Sequence, residues 1–281
     1  MNEQLPEIPD KPQPDATARP TTRRIVVALD ASTYSLAALR AAIELAELLD
    51  VEVEGLFVED INLLYLCGFP FNQEIGSYTG TTRRLENVSV ERQLRTLAAG
   101  IYDAMNRAAL RHPVRWTFHV RRGSVVNELL AATQGADLLS IGRSGHTRRT
   151  TLGSTARSLV QKSQRPVLVL DERGGLVYPL FAIYTGSETS QRVMQWLTTL
   201  ARHSDRAVRV FLVVRPDIAR SVEQLEAEAR AILGDLPVEF LVVRFGNVLM
   251  MLHAHNGGTL VLPNEYAELL TEHTGPTIIV P

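Results

Sequence analysis

The residues from Gly142 to Ser154 read GRSGHTRRTTLGS, three glycines among hydroxyl and cationic side chains. They follow a short apolar run, Ala136 to Ile141, and precede a helix-like stretch beginning at Thr155. A strand, a glycine-rich loop and a helix start, in that order, suit a phosphate. Glycine lets backbone N–H groups approach closely, and a helix N-terminus adds unpaired donors and a positive dipole end. His146, Arg148 and Arg149 put positive charge where phosphates would lie, and arginine's forked donors match phosphate oxygens. The same charges would also be ordinary on a solvated loop.

Other chemistries have less support. The only lysines are Lys11 and Lys162, so there is no Gly-Lys-Ser/Thr phosphate loop and no good Schiff-base candidate. No Gly-x-Ser-x-Gly elbow occurs. One cysteine, Cys67, rules out an intrachain disulfide and a cysteine cage for a metal. His253 and His255 stand two apart on a predicted helix, hence on different faces, so no metal is expected. A net charge of −2 gives no bulk attraction for nucleic acid, and no apolar run approaches the length of a membrane span. With no signal-peptide pattern at the start, a cytoplasmic protein is expected.

The elements that must position the loop follow from periodicity. Five prolines in residues 1–22 predict a disordered tail. Arg24 to Asp30 is an apolar run suited to a buried parallel strand. Leu36, Leu39, Ala42, Ile43, Ala46 and Leu49 recur at helical spacing. Strands are predicted at 51–58, 114–120, 137–142 and 167–170, with helices at 85–111, 125–133 and 155–163. Ser32 and Ser154 stand where serine favours a helix N-cap. Alternating strand and helix predicts α/β architecture, a parallel sheet with helices on both faces. Residues 61–80 are long and apolar for a loop, suiting either a binding element or a cover over the domain's own surface.

The second half repeats the first more faintly. Pro179 to Tyr184 answers the first strand, Arg192 to Ala201 its helix, and Val208 to Val214 the second strand. Gly246-Asn247-Val248-Leu249 mirrors Gly123-Ser124-Val125-Val126, and the chain closes with Gly275-Pro276-Thr277-Ile278-Ile279-Val280 where the first half has Gln164-Arg165-Pro166-Val167-Leu168-Val169. So many correspondences in one order indicate tandem duplication, with domains at 23–172 and 177–281 joined through Gly174-Gly175, each burying a core.

Through RIVVALDAS at 24–32, the Gly142-x-x-Gly145 and Gly153-Ser154 loop, and RPVLVL at 165–170, the chain resembles a tandem universal stress protein. The resemblance implies two open parallel five-stranded sheets of order 3-2-1-4-5. In such sheets ligands sit beyond the strand ends where the winding reverses, between strands 1 and 4. It implies ATP as cofactor, with Asp30 on the adenosine, the backbone of Val58 beside the base, and Gly142, Arg143, Gly145, Gly153, Ser154 and Thr155 around ribose and phosphates. The loop departs from the family pattern, which places nine residues between its second and third glycines. His146 to Leu152 are seven. Such a loop either still cradles phosphates or has lost the triphosphate.

The second half has Tyr184-Thr185-Gly186-Ser187 in place of the aspartate turn and Pro263-Asn264-Glu265-Tyr266 in place of the glycine loop. It is expected to bind no nucleotide and to supply the partner surface of an intramolecular pseudo-dimer, with further homodimerisation open. Two functions compete: a non-enzymatic, adenine-nucleotide-binding stress protein read by a protein partner, and a nucleotide-free interaction module. An ATP-activating enzyme ranks last, because Ala31-Ser32-Thr33 replaces the serine- and glycine-rich loop such enzymes need after strand 1.

Overall fold

In β1 (Arg24–Leu29), Ile25, Val27 and Leu29 point into one hydrophobic layer and Val26 into the other, which is why the strand is apolar on both faces. This arrangement comes from a computed structural model, which describes residues 23–62, 65, 73–75, 82–84, 87–144, 152–202, 207–214, 220–254 and 257–281. Cys67 and most of the 61–80 segment lie outside those residues, as do Gly145, His146, Arg148, Arg149 and His255.

After β1 come α1 (Thr33–Leu49), β2 (Glu52–Asp60), the short antiparallel pair β3 (Gln73–Ile75) and β4 (Thr82–Arg84), and α2 (Asn87–Ala109). The first half continues with β5 (Trp116–Gly123), α3 (Val125–Ala132), β6 (Leu138–Gly142), α4 (Ser154–Lys162) and β7 (Val167–Leu170). The second half holds β8 (Leu180–Tyr184), α5 (Glu188–Ala201), β9 (Val208–Val214), α6 (Val222–Leu233) and β10 (Val238–Arg244). It ends with α7 (Val248–Ala254), β11 (Thr259–Pro263), a 3₁₀ helix (Asn264–Thr271) and β12 (Thr277–Val280).

Local chemistry explains the helix starts. Ser32 caps α1 by accepting the N–H of Ser35, and Ser187 caps α5 in the same way from Ser190. Ser221 and Gln224 form a reciprocal capping box at the start of α6. The buried face of α1 is built largely of alanines (Ala37, Ala38, Ala41, Ala42, Ala46), so the helix lies close on the sheet. Buried Ser140 of β6 donates through Oγ to the Ala38 carbonyl at 3.0 Å.

The strand order is β10-β9-β8-β11-β12-β7-β6-β1-β2-β5. Each half has the expected 3-2-1-4-5 order with all neighbours parallel. The expectation of two separate sheets is corrected: β7 and β12 pair antiparallel, Thr277 opposite Val169 and Ile279 opposite Val167, giving one ten-stranded sheet. Both strands are buried along their whole length, and leaving either as an apolar edge would expose unpaired backbone. The core follows suit. Instead of one core per half, one apolar layer lies on each face of the sheet and runs through both halves. Leu29 and Tyr184 share the first layer, Ile141 and Leu262 the second.

Candidate functional site

At the carboxyl ends of β1 and β6, where the winding of the first half reverses, a crevice of about 310 Å³ opens. Asp30, Val58, Gly142, Arg143, Gly153, Ser154 and Thr155 all line it, though they come from four separate elements and their loops. Gly145 lies outside the described residues. Leu56, Val125, Leu129 and Ile141 form an apolar wall that reading the sequence did not assign. The signal was present: Leu56 shares a strand face with Val58, and Val125 and Leu129 are one helical turn apart.

Asp30 is held in a tight turn. Its Oδ1 accepts the N–H of Ser32 at 2.9 Å, and its own N–H donates to the Ser35 hydroxyl at 3.3 Å. Between them Ala31 sits in the left-handed region at φ 62°. This turn fixes the carboxylate at the crevice and starts α1 in one stroke.

The two glycines that flank the loop do different work. A Cβ on Gly142 would fall 2.7 Å from Cβ of Tyr34 and 2.8 Å from the Tyr34 carbonyl carbon. Gly142 is therefore required for β6 to pass the start of α1, whatever the crevice holds. A Cβ on Gly153 would have no neighbour nearer than 3.5 Å. Gly153 is also the N-cap of α4, which displaces the expectation for Ser154 by one position: Ser154 is the first helical residue, exposed beside exposed Thr155. Gly153 has no side chain with which to cap α4, and the opening residues of that helix border the crevice.

Arg143 departs most from expectation. It lines the crevice, but its guanidinium reaches the other half, donating to the carbonyls of Leu270 at 2.6 Å and His273 at 2.5 Å. Burial lowers its pKa, with Asp171 acting in the opposite direction. An arginine committed to two carbonyls is not a loose phosphate clamp.

The corresponding turn of the second half keeps the backbone and changes the chemistry. Thr185 Oγ1 accepts the N–H of Ser187 at 3.3 Å, and Gly186 takes the left-handed conformation at φ 77°. The Ser187 hydroxyl donates to Glu265 Oε1 at 3.1 Å, so a carboxylate from the 3₁₀ helix bridges this turn. On the other side, Arg220 donates to the Gly186 carbonyl and to Glu228, which also receives the Tyr184 hydroxyl at 3.1 Å. Burial, with Glu228 adding to it, pushes the Tyr184 pKa up to about 12. Internal groups occupy the polar positions of this turn.

Among the described residues no helix is long and apolar enough to cross a membrane. No curated protein matches the chain. Among solved structures, a universal stress protein from Archaeoglobus fulgidus DSM 4304 aligns over 92% of this chain and 97% of its own, at 11% identity and a TM-score of 0.66. At that identity the likeness is one of fold, and it extends over both halves. The universal stress protein UspA from Lactobacillus plantarum aligns over 54% of this chain and 99% of its own, at 21% identity and a TM-score of 0.40. A universal stress protein solved in complex with cAMP aligns over 54% and 98%, at 19% identity and a TM-score of 0.36. The universal stress protein family matches residues 21–171, more than half the chain, including β1, the aspartate turn, the loop and β7. With that match, and with the same strand order in each half, the chain belongs to the universal stress protein family.

Proposed function

We infer that the first half is an adenine-nucleotide-binding module of a non-enzymatic stress protein. The single observation that carries this reading is the convergence of Asp30, Val58, Gly142, Gly153, Ser154 and Thr155 on one crevice. Its two ends differ in a way that suits a nucleotide. Leu56, Val58, Val125, Leu129 and Ile141 offer an apolar wall for a base, and Asp30 an acceptor for sugar hydroxyls. Ser154, Thr155 and the start of α4 offer hydroxyls and N–H groups for phosphates. The volume lies at the lower end of the range for small-molecule sites. When bound, the nucleotide would supply a charged, removable surface rather than a reaction. The domains at 23–172 and 177–281 then divide the work, the second completing a pseudo-dimer whose surface a protein partner reads.

A second reading, a nucleotide-free interaction module, rests on Arg143. Its engagement with Leu270 and His273 removes one cation from the phosphate end, and the loop that follows is two residues shorter than the family pattern.

Mass spectrometry of ligand released from freshly purified, heat-denatured protein separates the two, followed by calorimetric titration with ATP, ADP and AMP. Recovered or tightly bound adenine nucleotide upholds the first reading. No ligand and no heat leave the second.

A further inference from the structure

Arg143 stands where the crevice meets the second half. Its N–H donates to the Leu170 carbonyl of β7 at 2.7 Å, and its carbonyl accepts the N–H of Gly153 at 2.9 Å. The second bond closes the base of the 143–153 loop. Its guanidinium reaches across the β7–β12 seam to Leu270 and His273. With 2% of its surface exposed, Arg143 cannot leave those acceptors without stranding a charge and two carbonyls.

Both acceptors belong to one short stretch of chain. The 3₁₀ helix Asn264–Thr271 leaves the carboxyl end of β11 and delivers the chain to the start of β12. Near its first residue Glu265 bridges Ser187 and Thr185, and near its last the carbonyls of Leu270 and His273 hold Arg143. Because β12 runs antiparallel to β7, the start of β12 lies beside the carboxyl end of β7. The segment therefore crosses the width of the sheet, from the closed turn of the second half to the crevice of the first. The segment is two short helical pieces meeting at a kink at Tyr266 (φ −108°, ψ 15°).

We propose that Arg143 is a positioning residue for the first crevice, coupling the base of the 143–153 loop to the 264–273 segment of the second half. The ligand side of this proposal rests on the nucleotide reading above. Arg143 then acts on a ligand through its backbone, by fixing where the loop closes, and the second half sets how firmly it is fixed. Coupling of this kind is reciprocal: if the segment strengthens binding, binding must steady the segment.

The test is hydrogen exchange on the full chain with and without ATP, alongside calorimetry, for wild type and Arg143→Lys. Lysine keeps the charge but cannot fork to both carbonyls. In wild type, ATP should slow exchange at residues 266–273 several-fold. In Arg143→Lys that slowing should vanish and ATP affinity fall about tenfold, the scale of one lost hydrogen bond. Exchange in β2 should be unchanged, which separates coupling from general destabilisation. Equal affinity, or equal slowing in both proteins, overturns the proposal. Gly153→Pro provides an arm that needs no ligand and leaves the guanidinium intact. It removes the N–H that the Arg143 carbonyl accepts, at a φ of −63° that proline adopts freely. Faster exchange at 266–273 in this variant upholds the coupling, and unchanged exchange overturns it. Should wild type bind no ATP, the nucleotide reading fails by calorimetry while the Gly153→Pro result still decides the coupling.

Discussion

Asp30 and Thr185 occupy the same place in two copies of one turn. Each accepts, through a side-chain oxygen, the N–H of the serine two residues on: Ser32 at 2.9 Å and Ser187 at 3.3 Å. Each precedes a left-handed residue, Ala31 or Gly186, and each of those serines caps the next helix. Both halves keep the device that ends a strand and begins a helix. What changed is charge: a carboxylate lines the crevice of the first half, and at the matching turn of the second half a hydroxyl is bridged by Glu265.

Asp30→Asn separates the turn from the ligand. The amide oxygen can still accept from Ser32, so the thermal midpoint should hardly move. Hydrogen bonds to a charged group are worth about 1.5–3 kcal/mol, so nucleotide affinity should fall about ten- to a hundred-fold. Calorimetry on a protein of unchanged melting temperature checks this, and unchanged affinity removes Asp30 from the site.

Ala31→Gly should stabilise the protein. A left-handed alanine costs about 1–2 kcal/mol, of which glycine's greater freedom in the unfolded chain returns part. A net gain of about 0.5–1 kcal/mol in urea unfolding is expected, and a loss would mean the strain at φ 62° is not there.

Gly142→Ala and Gly153→Ala should differ sharply. The first forces a methyl against the Tyr34 backbone, and overpacking of this kind costs about 1–3 kcal/mol. The second has room, and its stability should stay within about 0.5 kcal/mol of wild type. Equal unfolding midpoints for the pair would contradict the packing at the start of α1.

Stability should fall below neutral pH through His273. Burial, and then the Arg143 charge, hold its pKa below the ordinary 6.5, while Asp171 and a hydrogen bond to the Pro276 backbone pull it upward. Its buried Nε2 has no hydrogen-bond partner among the described residues, so a proton there would go unanswered. The unfolded chain takes up that proton first as pH falls through about 6.5. Stability is then lost, with a slope of at most about 1.4 kcal/mol per pH unit, until the folded pKa is reached. Above that window His273 contributes no slope. Urea unfolding across about pH 5 to 8 should be flatter for His273→Gln than for wild type, and identical profiles would refute the assignment.

A chain ending after Glu172 should self-associate. It exposes the buried edge of β7 and strips Arg143 of both acceptors. A well-behaved monomer in sedimentation would count against the second half as the partner of the first.

Much of this was legible in the sequence because burial on both faces makes strands continuous apolar runs. The strand Val167–Leu170 was expected at those residues, and the 3-2-1-4-5 order followed from the resemblance. Asp30 and Gly142 could be brought together because strand order, not sequence distance, decides neighbours at a switch point. The joining of β7 to β12 was not legible: an all-apolar strand announces that it is buried, not which strand lies beside it. Arg143 was expected around ribose and phosphates, because the carbonyls that bury it, Leu270 near the end of a short 3₁₀ helix and His273 just past it, lie in a segment too short to impose a periodicity. Glu265 was hidden for a similar reason. The turn at Thr185 carries no carboxylate of its own, and the one that serves it arrives from 80 positions away.

The antiparallel seam gives the molecule a head and a tail. Strands of the first half run one way and those of the second run the other, so the two aspartate-type turns open at opposite rims of a single sheet. The rim at Asp30 has a crevice lined for a small molecule, whereas the rim at Thr185 is bridged by Glu265. Two identical chains meeting at such a seam would present two equivalent rims. In a single chain whose halves differ the two ends are distinguishable, so anything held at one rim lies away from the other.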